Sequence, residues 1–432
     1  MNERELALEV LLQIVKEGEF SHIALRQVLA QYQYLEKRKR AFLTKVVEGT
    51  LERMIELDHV INCFSKTSTD RMKPEILLIL RSGVYQLFYM DSVPDSAVCN
   101  EAVKLAKRKG FAPLAGFVNG VLRNIARHRK EIPYPDKKEI KKYISVRYSL
   151  PEWLVDQWVK EYGAEVTEQM GQEFLKEQPL TVHIHTDRID RQALIALLEQ
   201  EGVCVRQDDT YADVLYLSEY DYLGKVSGFQ KGYFQVQDIS SMEVVRLAEP
   251  KEGDQVLDVC AAPGGKAVHM AQQLHGTGQV EARDLTDYKI EQLEENRIRN
   301  GLSNMTVKKW DARILDEAAV GQKDIVLADL PCSGLGVLGR KPDLKYKMTR
   351  DMTKSLCALQ KEILEVVRQY VKPGGKLVYS TCTINREENE ENTRWFLERF
   401  PEFELRKQEQ RLPGIHKGDG FYLAVFRKCT EA

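Results

Sequence analysis

The sequence predicts a multidomain protein with an all-helical bundle, a small mixed α+β region and a larger α/β domain built on a parallel sheet. Three observations carry this. Residues 1 to about 130 repeat apolar positions at helical spacing, with no strand-like alternation. A proline-punctuated stretch, Ile132-Pro133-Tyr134-Pro135-Asp136, then breaks the pattern. From about residue 236 short apolar strands alternate with helices, the signature of a parallel sheet covered on both faces. A chain of 432 residues is also too long for one ordinary core. The expected divisions are 1–130, 131–235 and 236–432.

In the first region, Leu6, Val10 and Ile14 keep helical spacing, as do Phe42 and Val46. The run Ile76-Leu77-Leu78-Ile79-Leu80, continued by Val84, Leu87 and Phe88, is apolar on most sides and predicts a central buried helix. Leu114, Phe117, Val118, Val121, Leu122 and Ile125 predict another amphipathic helix. In the middle region, Ser149-Leu150-Pro151-Glu152 reads as a capping box opening a helix over 153–162. Strands are expected over 181–185, 203–206 and 214–217, with a helix over 192–201. In the last region, strands are expected over 256–259, 279–283, 305–309, 325–329 and 376–381. Helices are expected from Lys266, over 287–300 with Gly301 as its stop, and over 352–371. The run Phe421-Tyr-Leu-Ala-Val-Phe426 is expected to close the sheet as an edge strand.

Composition narrows the function classes. The 43% hydrophobic and 30% charged content describes a globular protein, and no apolar run approaches a membrane span. The charged start, Asn2-Glu3-Arg4-Glu5, leads directly into a helical pattern, so neither an export signal nor membrane association is expected. Eight cysteines without paired spacing then read as reduced thiols of a cytoplasmic protein. The net charge of −2 does not announce a nucleic-acid binder. Locally, Lys104, Lys107, Arg108, Lys109, Arg123, Arg127, Arg129 and Lys130 cluster with few acids between them, followed by Lys137, Lys138, Lys141, Lys142 and Arg147. Such a patch suits phosphates, and a solvated helix face reads the same way.

Three motifs carry the chemistry. Leu257-Asp258-Val259-Cys260-Ala261-Ala262-Pro263-Gly264-Gly265-Lys266 joins a strand to a helix through a glycine turn. A phosphate-binding P-loop needs Gly where Cys260 stands and Ser or Thr where Ala267 stands, so triphosphate hydrolysis is excluded. What remains is a turn allowing close backbone approach, with free N–H groups for a carboxylate. Asp284 and Asp311 end the next two strands, where an acid can accept bonds from a nucleoside; a helix cap or turn is the ordinary alternative for a lone Asp. Asp329-Leu-Pro-Cys332-Ser-Gly and Ser380-Thr-Cys382-Thr place two thiols after buried strands, at the sheet edge where chemistry sits, and suggest covalent catalysis.

Cys-Ala-Ala-Pro-Gly-Gly-Lys, Asp-Leu-Pro-Cys-Ser-Gly and Ser-Thr-Cys-Thr-Ile-Asn-Arg-Glu-Glu-Asn-Glu, in this order, resemble the RNA cytosine-C5 methyltransferases that use S-adenosylmethionine. Nearly the whole chain resembles the bacterial branch that modifies small-subunit (16S) ribosomal RNA and carries a NusB-like helical domain. The resemblance implies a Rossmann-like catalytic domain, S-adenosylmethionine as cofactor and ribosomal RNA as partner. It implies a cofactor pocket lined by Cys260, Ala261, Ala262, Pro263, Gly264, Gly265, Lys266, Asp284, Asp311 and Asp329. It also implies Cys382 as the nucleophile that adds to carbon 6, Cys332 as its assistant in proton removal or release, and Asp329 as the group beside ring nitrogen 3. Trp310 stands where the family commonly has glycine, which loosens the inference at Asp311.

Cys63, Cys99, Cys204, Cys357 and Cys429 are read as small buried hydrophobes. His183 and His185 share a strand face but lack a third ligand nearby, and no C-x-x-C spacing supports zinc, so no metal is expected. Glu387, Glu388, Glu390 and Glu391 are expected to open the helix after Cys382. A monomer is expected. The rival readings are a non-catalytic RNA-binding assembly factor, which the intact Cys382, Cys332 and Asp329 oppose, and a transfer-RNA methyltransferase, which the helical N-terminal region disfavours.

Overall fold

The computed structural model describes residues 2–430, which divide into two units. The helical unit holds the chain up to Lys176 together with Leu338–Lys347; the α/β unit holds Glu177–Val337 and the chain from Met348 onward.

In the helical unit, the helix Pro74–Tyr89 is central, as its all-round apolar sequence requires. Proline at its first turn costs nothing, because the missing N–H would have no intrahelical partner. Helices Glu3–Val15, Lys37–Glu52, Met54–Phe64, Asp95–Arg108 and Ala115–His128 pack around it. Gly49 lets Lys37–Glu52 approach closely, since a Cβ there would lie 2.0 Å from Cζ of Tyr85.

Three further helices, Ile140–Arg147, Glu152–Tyr162 and Ala164–Phe174, pack within this unit. Polar bonds to the buried Glu56 hold the segment leading into them, which hydrophobic spacing does not reveal. The Glu56 carboxylate accepts from Tyr134 and is paired with Arg147, while the Glu56 N–H donates to Ser149 Oγ at 2.9 Å. That bond also corrects the capping box. Ser149 adopts a positive φ of 51° and serves Glu56, and the helix Glu152–Tyr162 begins after Pro151 without a side-chain cap.

The α/β unit contains two sheets. The smaller is antiparallel in the order β2-β3-β1-β4, with β1 Leu180–Ile184, β2 Cys204–Gln207, β3 Val214–Ser218 and β4 Phe234–Val236. At three residues, β4 is too short to carry a period and was not anticipated. The larger sheet comprises β5 Gln255–Asp258, β6 Gln279–Asp284, β7 Met305–Lys309, β8 Lys323–Asp329, β9 Val371–Thr381, β10 Phe403–Arg411 and β11 Phe421–Lys428. Its order is β10-β11-β9-β8-β5-β6-β7, parallel from β9 through β7. β11 is antiparallel to β9 and lies inside the sheet, not at its edge. The edge is β10, whose charged sequence Phe-Glu-Leu-Arg-Lys-Gln-Glu-Gln-Arg lacks the apolar signal of a buried strand and suits an exposed edge.

The chain builds β5, β6 and β7 outward on one side, then returns to place β8 and β9 on the other. The strand order therefore reverses between β5 and β8, and the crevice beyond their carboxyl ends is where ligands bind in such sheets. No helix among the described residues is long and apolar enough to cross a membrane.

Candidate active site

Five carboxyl ends of the large sheet converge on this crevice. β5 ends at Asp258, β6 at Asp284, β8 at Asp329 and β9 at Thr381, just before Cys382; Trp310 and Asp311 follow β7.

Beyond β5 the chain turns through Cys260 to Gly264, and the helix Gly265–Gln273 starts at once. Gly264 has φ 112°, a conformation that L side chains rarely adopt, and a Cβ there would also press on Leu293 at 3.1 Å. Asp284 is buried and ties this loop to its own strand. Its Oδ2 accepts from the Ala262 N–H at 3.0 Å, and its Oδ1 accepts from the Leu285 N–H at 2.7 Å and Lys289 Nζ at 2.9 Å. Asp311 accepts instead from Arg313, through its N–H, Nε and Nη2 at 2.7 to 3.0 Å, which holds its carboxyl below the usual range. Burial pushes the Cys260 thiol far up, helped by Asp284 and Asp258, which disfavours its thiolate.

Asp258 and Asp329 flank the point where strand order reverses. Lys266 Nζ donates to Asp329 Oδ2 at 2.7 Å and Ser380 Oγ donates to Oδ1 at 2.8 Å. Burial opposes the Lys266 charge, but the Asp329 and Asp258 carboxylates outweigh it and hold the ammonium above its ordinary value. Asp258 Oδ1 is buried with no hydrogen-bond partner among the described residues. Burial, then the charge of Asp329, pushes its carboxyl up to about 8.

Cys332 and Cys382, fifty residues apart in sequence, stand with their sulfurs 3.3 Å apart, both partly exposed. The bond to Cys382, then burial, raises the Cys332 thiol well above its ordinary range. Behind them, the Gly336 N–H donates to the Cys382 carbonyl at 3.1 Å and the Gly420 N–H donates to the Gly336 carbonyl at 2.9 Å. A Cβ at Gly336 would lie 2.0 Å from Gly420 O, so this backbone approach requires glycine.

The structure thus brings Cys260–Lys266, Asp284, Asp329, Cys332 and Cys382 to one end of one sheet. Sequence reasoning gave no role to Asp258, although it ends a strand as Asp284 does, nor to Ser380, Lys289 and the Gly336–Gly420 contact, which do not stand out by spacing. It also misplaced Glu388. The helix after Cys382 runs over Glu390–Arg399, so Glu390 and Glu391 occupy its first turn, while Glu388 lies before it and is fully buried.

Other cysteines and histidines depart from expectation. Cys63 and Cys204 are exposed, not buried. His183 is joined by Asp213 and His269, the partners absent from the neighbouring sequence, with ligand-type atoms within 4.8 Å of one another. Arg246 already occupies Asp213 with two bonds of 2.8 and 2.9 Å, and the His183 and His269 rings stack at 3.9 Å. A cation at that carboxylate would face the guanidinium. His185 belongs elsewhere, on the Gly232 carbonyl at 2.6 Å.

The relatives identify the family. The chain matches the family described as 16S rRNA methyltransferase RsmB/F over residues 245–427, the NusB family over 1–127, and the RsmF/B-like ferredoxin-like domain over 150–221. It is 35% identical to the "Probable ribosomal RNA small subunit methyltransferase B" of Bacillus subtilis (strain 168), covering 98% of each chain. It is 30% identical to the ribosomal RNA small subunit methyltransferase B of Proteus mirabilis (strain HI4320), covering 99% of each. Among solved structures it is similar to that of PH0851, with TM-score 0.82 and 25% identity over 98% of this chain and 99% of that one. The helical N-terminal region is therefore a NusB domain, the small antiparallel sheet belongs to a ferredoxin-like domain, and the seven-stranded sheet is a Rossmann-like methyltransferase domain. With relatives matched end to end and both thiols brought together at the sheet edge, the chain belongs to the RsmB/F family of 16S ribosomal RNA methyltransferases.

Proposed function

We propose that this protein methylates carbon 5 of a cytosine in 16S ribosomal RNA, using S-adenosylmethionine and a transient bond between Cys382 and carbon 6. The observation that carries the reading is the pair of sulfurs 3.3 Å apart beside Asp329. Carbon 5 of cytosine is a poor nucleophile. Attack of the Cys382 thiolate on carbon 6 makes the ring enamine-like, so that carbon 5 can take a methyl group. A base, water or a deprotonated side chain at the site, then takes the carbon-5 proton; the C–H electron pair restores the ring double bond as the carbon-6–sulfur bond breaks and Cys382 leaves as thiolate. In this reading Cys332 assists that second half, in proton removal or release, and Asp329 faces ring nitrogen 3. The target base must leave its stack to reach the sulfurs.

The residues present fit the cofactor. Free N–H groups at the start of the Gly265–Gln273 helix suit a carboxylate, and the orphaned Asp258 Oδ1 is an acceptor awaiting a donor such as an amino group. When bound there, S-adenosylmethionine supplies an electrophilic methyl on its sulfonium. Asp284 would meet the ribose, and Asp311 the adenine once freed from Arg313.

Bisulfite sequencing of 16S ribosomal RNA incubated with the protein tests the reaction, and new protected cytosines are expected. Cys382→Ala should abolish transfer and form no adduct. Cys332→Ala should permit attack but impair release, leaving an RNA adduct that survives denaturing electrophoresis. Accumulation of that adduct in Cys382→Ala would reverse the two roles.

A further inference from the structure

Glu388 has no assigned part in the reaction, yet it is the buried centre of the two loops that carry the thiols. It is 0% exposed. Its Oε2 accepts from the Ser333 N–H at 2.9 Å and from Gln360 Nε2 at 3.1 Å. Its Oε1 accepts from Ser333 Oγ at 2.5 Å and from Asn385 Nδ2 at 3.1 Å. Ser333 adjoins Cys332, and Asn385 lies three residues beyond Cys382. The Ser333 and Thr383 hydroxyls bond at 2.8 Å, and Gln360 Nε2 also reaches the Pro331 carbonyl at 2.9 Å. One carboxyl group thus grips both sides of the thiol pair.

We propose that Glu388 is a positioning residue for the two thiols, a buried carboxylate that sets their spacing by clamping the Cys332 loop to the Cys382 turn. The inference deepens the proposed reaction and rests on it. Three of the four groups reaching the carboxyl oxygens, the Ser333 N–H, Gln360 Nε2 and Asn385 Nδ2, can only donate, which suits a carboxylate acceptor; the Ser333 hydroxyl is shared with Thr383. All four are also neutral, so the negative charge stays uncompensated. A negative charge there disfavours a second anion nearby: the bond to Cys382 and burial raise the Cys332 thiol most, and the Glu388 charge adds to them. The clamp therefore holds the two sulfurs at the spacing the proposed reaction needs, 3.3 Å apart.

The test is Glu388→Gln in the full chain, which keeps the volume but removes the charge. With S-adenosylmethionine affinity retained as evidence of folding, kcat should fall about tenfold to a hundredfold through misplacement of the thiols. The midpoint of Cys332 alkylation by iodoacetamide, followed across pH by peptide mass spectrometry, should move to lower pH. Glu388→Asp, which keeps the charge but shortens the reach, should lower kcat and leave that midpoint in place. A merely structural role moves neither midpoint. Wild-type kcat together with a wild-type midpoint in Glu388→Gln overturns the proposal. Alkylation needs no RNA, so it reads out even if cytosine is not the target base. Should Glu388→Gln fail to fold, Ser333→Ala and Asn385→Ala each remove one tether and should lower kcat; unchanged kcat in both overturns the clamp.

Discussion

Two buried glutamates, one in each unit, show how the same side chain can serve different ends. Glu56 in the helical unit is 1% exposed and meets cations. Arg53 pairs with it at 2.9 Å and Arg147 at 3.5 Å, while Tyr89 and Tyr134 donate hydroxyls at 2.7 and 3.0 Å. Glu388 in the α/β unit meets only neutral donors through its carboxyl oxygens. A compensated buried charge is a joint; an uncompensated one projects a field onto its neighbours. The first ties the segment from Tyr134 to Ser149 to the bundle, and the second lies among the groups that would do chemistry. Burial also pushes both Glu388 and Asp258 above their ordinary values, although at Asp258 the Lys266 charge pulls the other way.

The sharpest way to break this contrast is to remove the compensated glutamate. Glu56→Ala strands Arg53 and two tyrosine hydroxyls in the helical core, and losing one partner of a buried pair costs about 3–5 kcal/mol. A large drop in melting temperature is expected, with S-adenosylmethionine affinity preserved in whatever remains folded. Equal stability in Glu56→Ala and the parent would make the two glutamates alike.

Asp284→Ala should have the next largest effect, and on binding instead of folding. It frees the Ala262 N–H and removes an acceptor for the ribose, for a loss of roughly 1–3 kcal/mol, or about tenfold to a hundredfold in cofactor affinity. Calorimetry showing unchanged affinity would remove Asp284 from the pocket.

The pH dependence of stability probes Asp258. Its folded pKa of about 8 lies above the ordinary carboxyl value of 3.8. Between these values the native state holds a proton that the unfolded chain has released, so this group makes stability fall as pH rises, by at most about 1.4 kcal/mol per pH unit, and its cost is complete above pH 8. Asp258→Asn cannot titrate and should flatten that slope between about pH 5 and 7 in urea titrations. An unchanged slope would mean that Asp258 stays ionised when folded.

The smallest expected effect concerns surface charge in the helical unit, whose basic residues we propose contact RNA. Several are already spent internally: Lys104 on Glu101, Arg108 on Glu5, Lys109 on Glu9 and Arg129 on Asp95. Arg123, Arg127 and Lys130 are better candidates for binding phosphates. Reversing all three to Glu should weaken RNA binding and reduce its salt slope, by about 0.7 to 0.9 for each phosphate that is no longer neutralised. An unaltered slope would leave this patch a solvated face.

Local chemistry was legible in the sequence. Strand-ending acids, the glycine turn and the Pro-Cys and Thr-Cys motifs announce themselves within a few residues, and hydrophobic periods located most helices and parallel strands. Such features depend on backbone conformation and spacing, which neighbouring residues dictate. The edge strand β10 escaped notice because charge suits an edge. Ser149 was misread because its hydroxyl serves a helix ninety-three residues away. Glu388 looked like the opening of a helix, since nothing near it in sequence reveals Ser333 and Gln360 as its partners. The sequence by itself determined which groups could react and which strands would present them. Only the tertiary structure decided which buried charges are compensated, because that depends on partners brought together from distant positions in the chain.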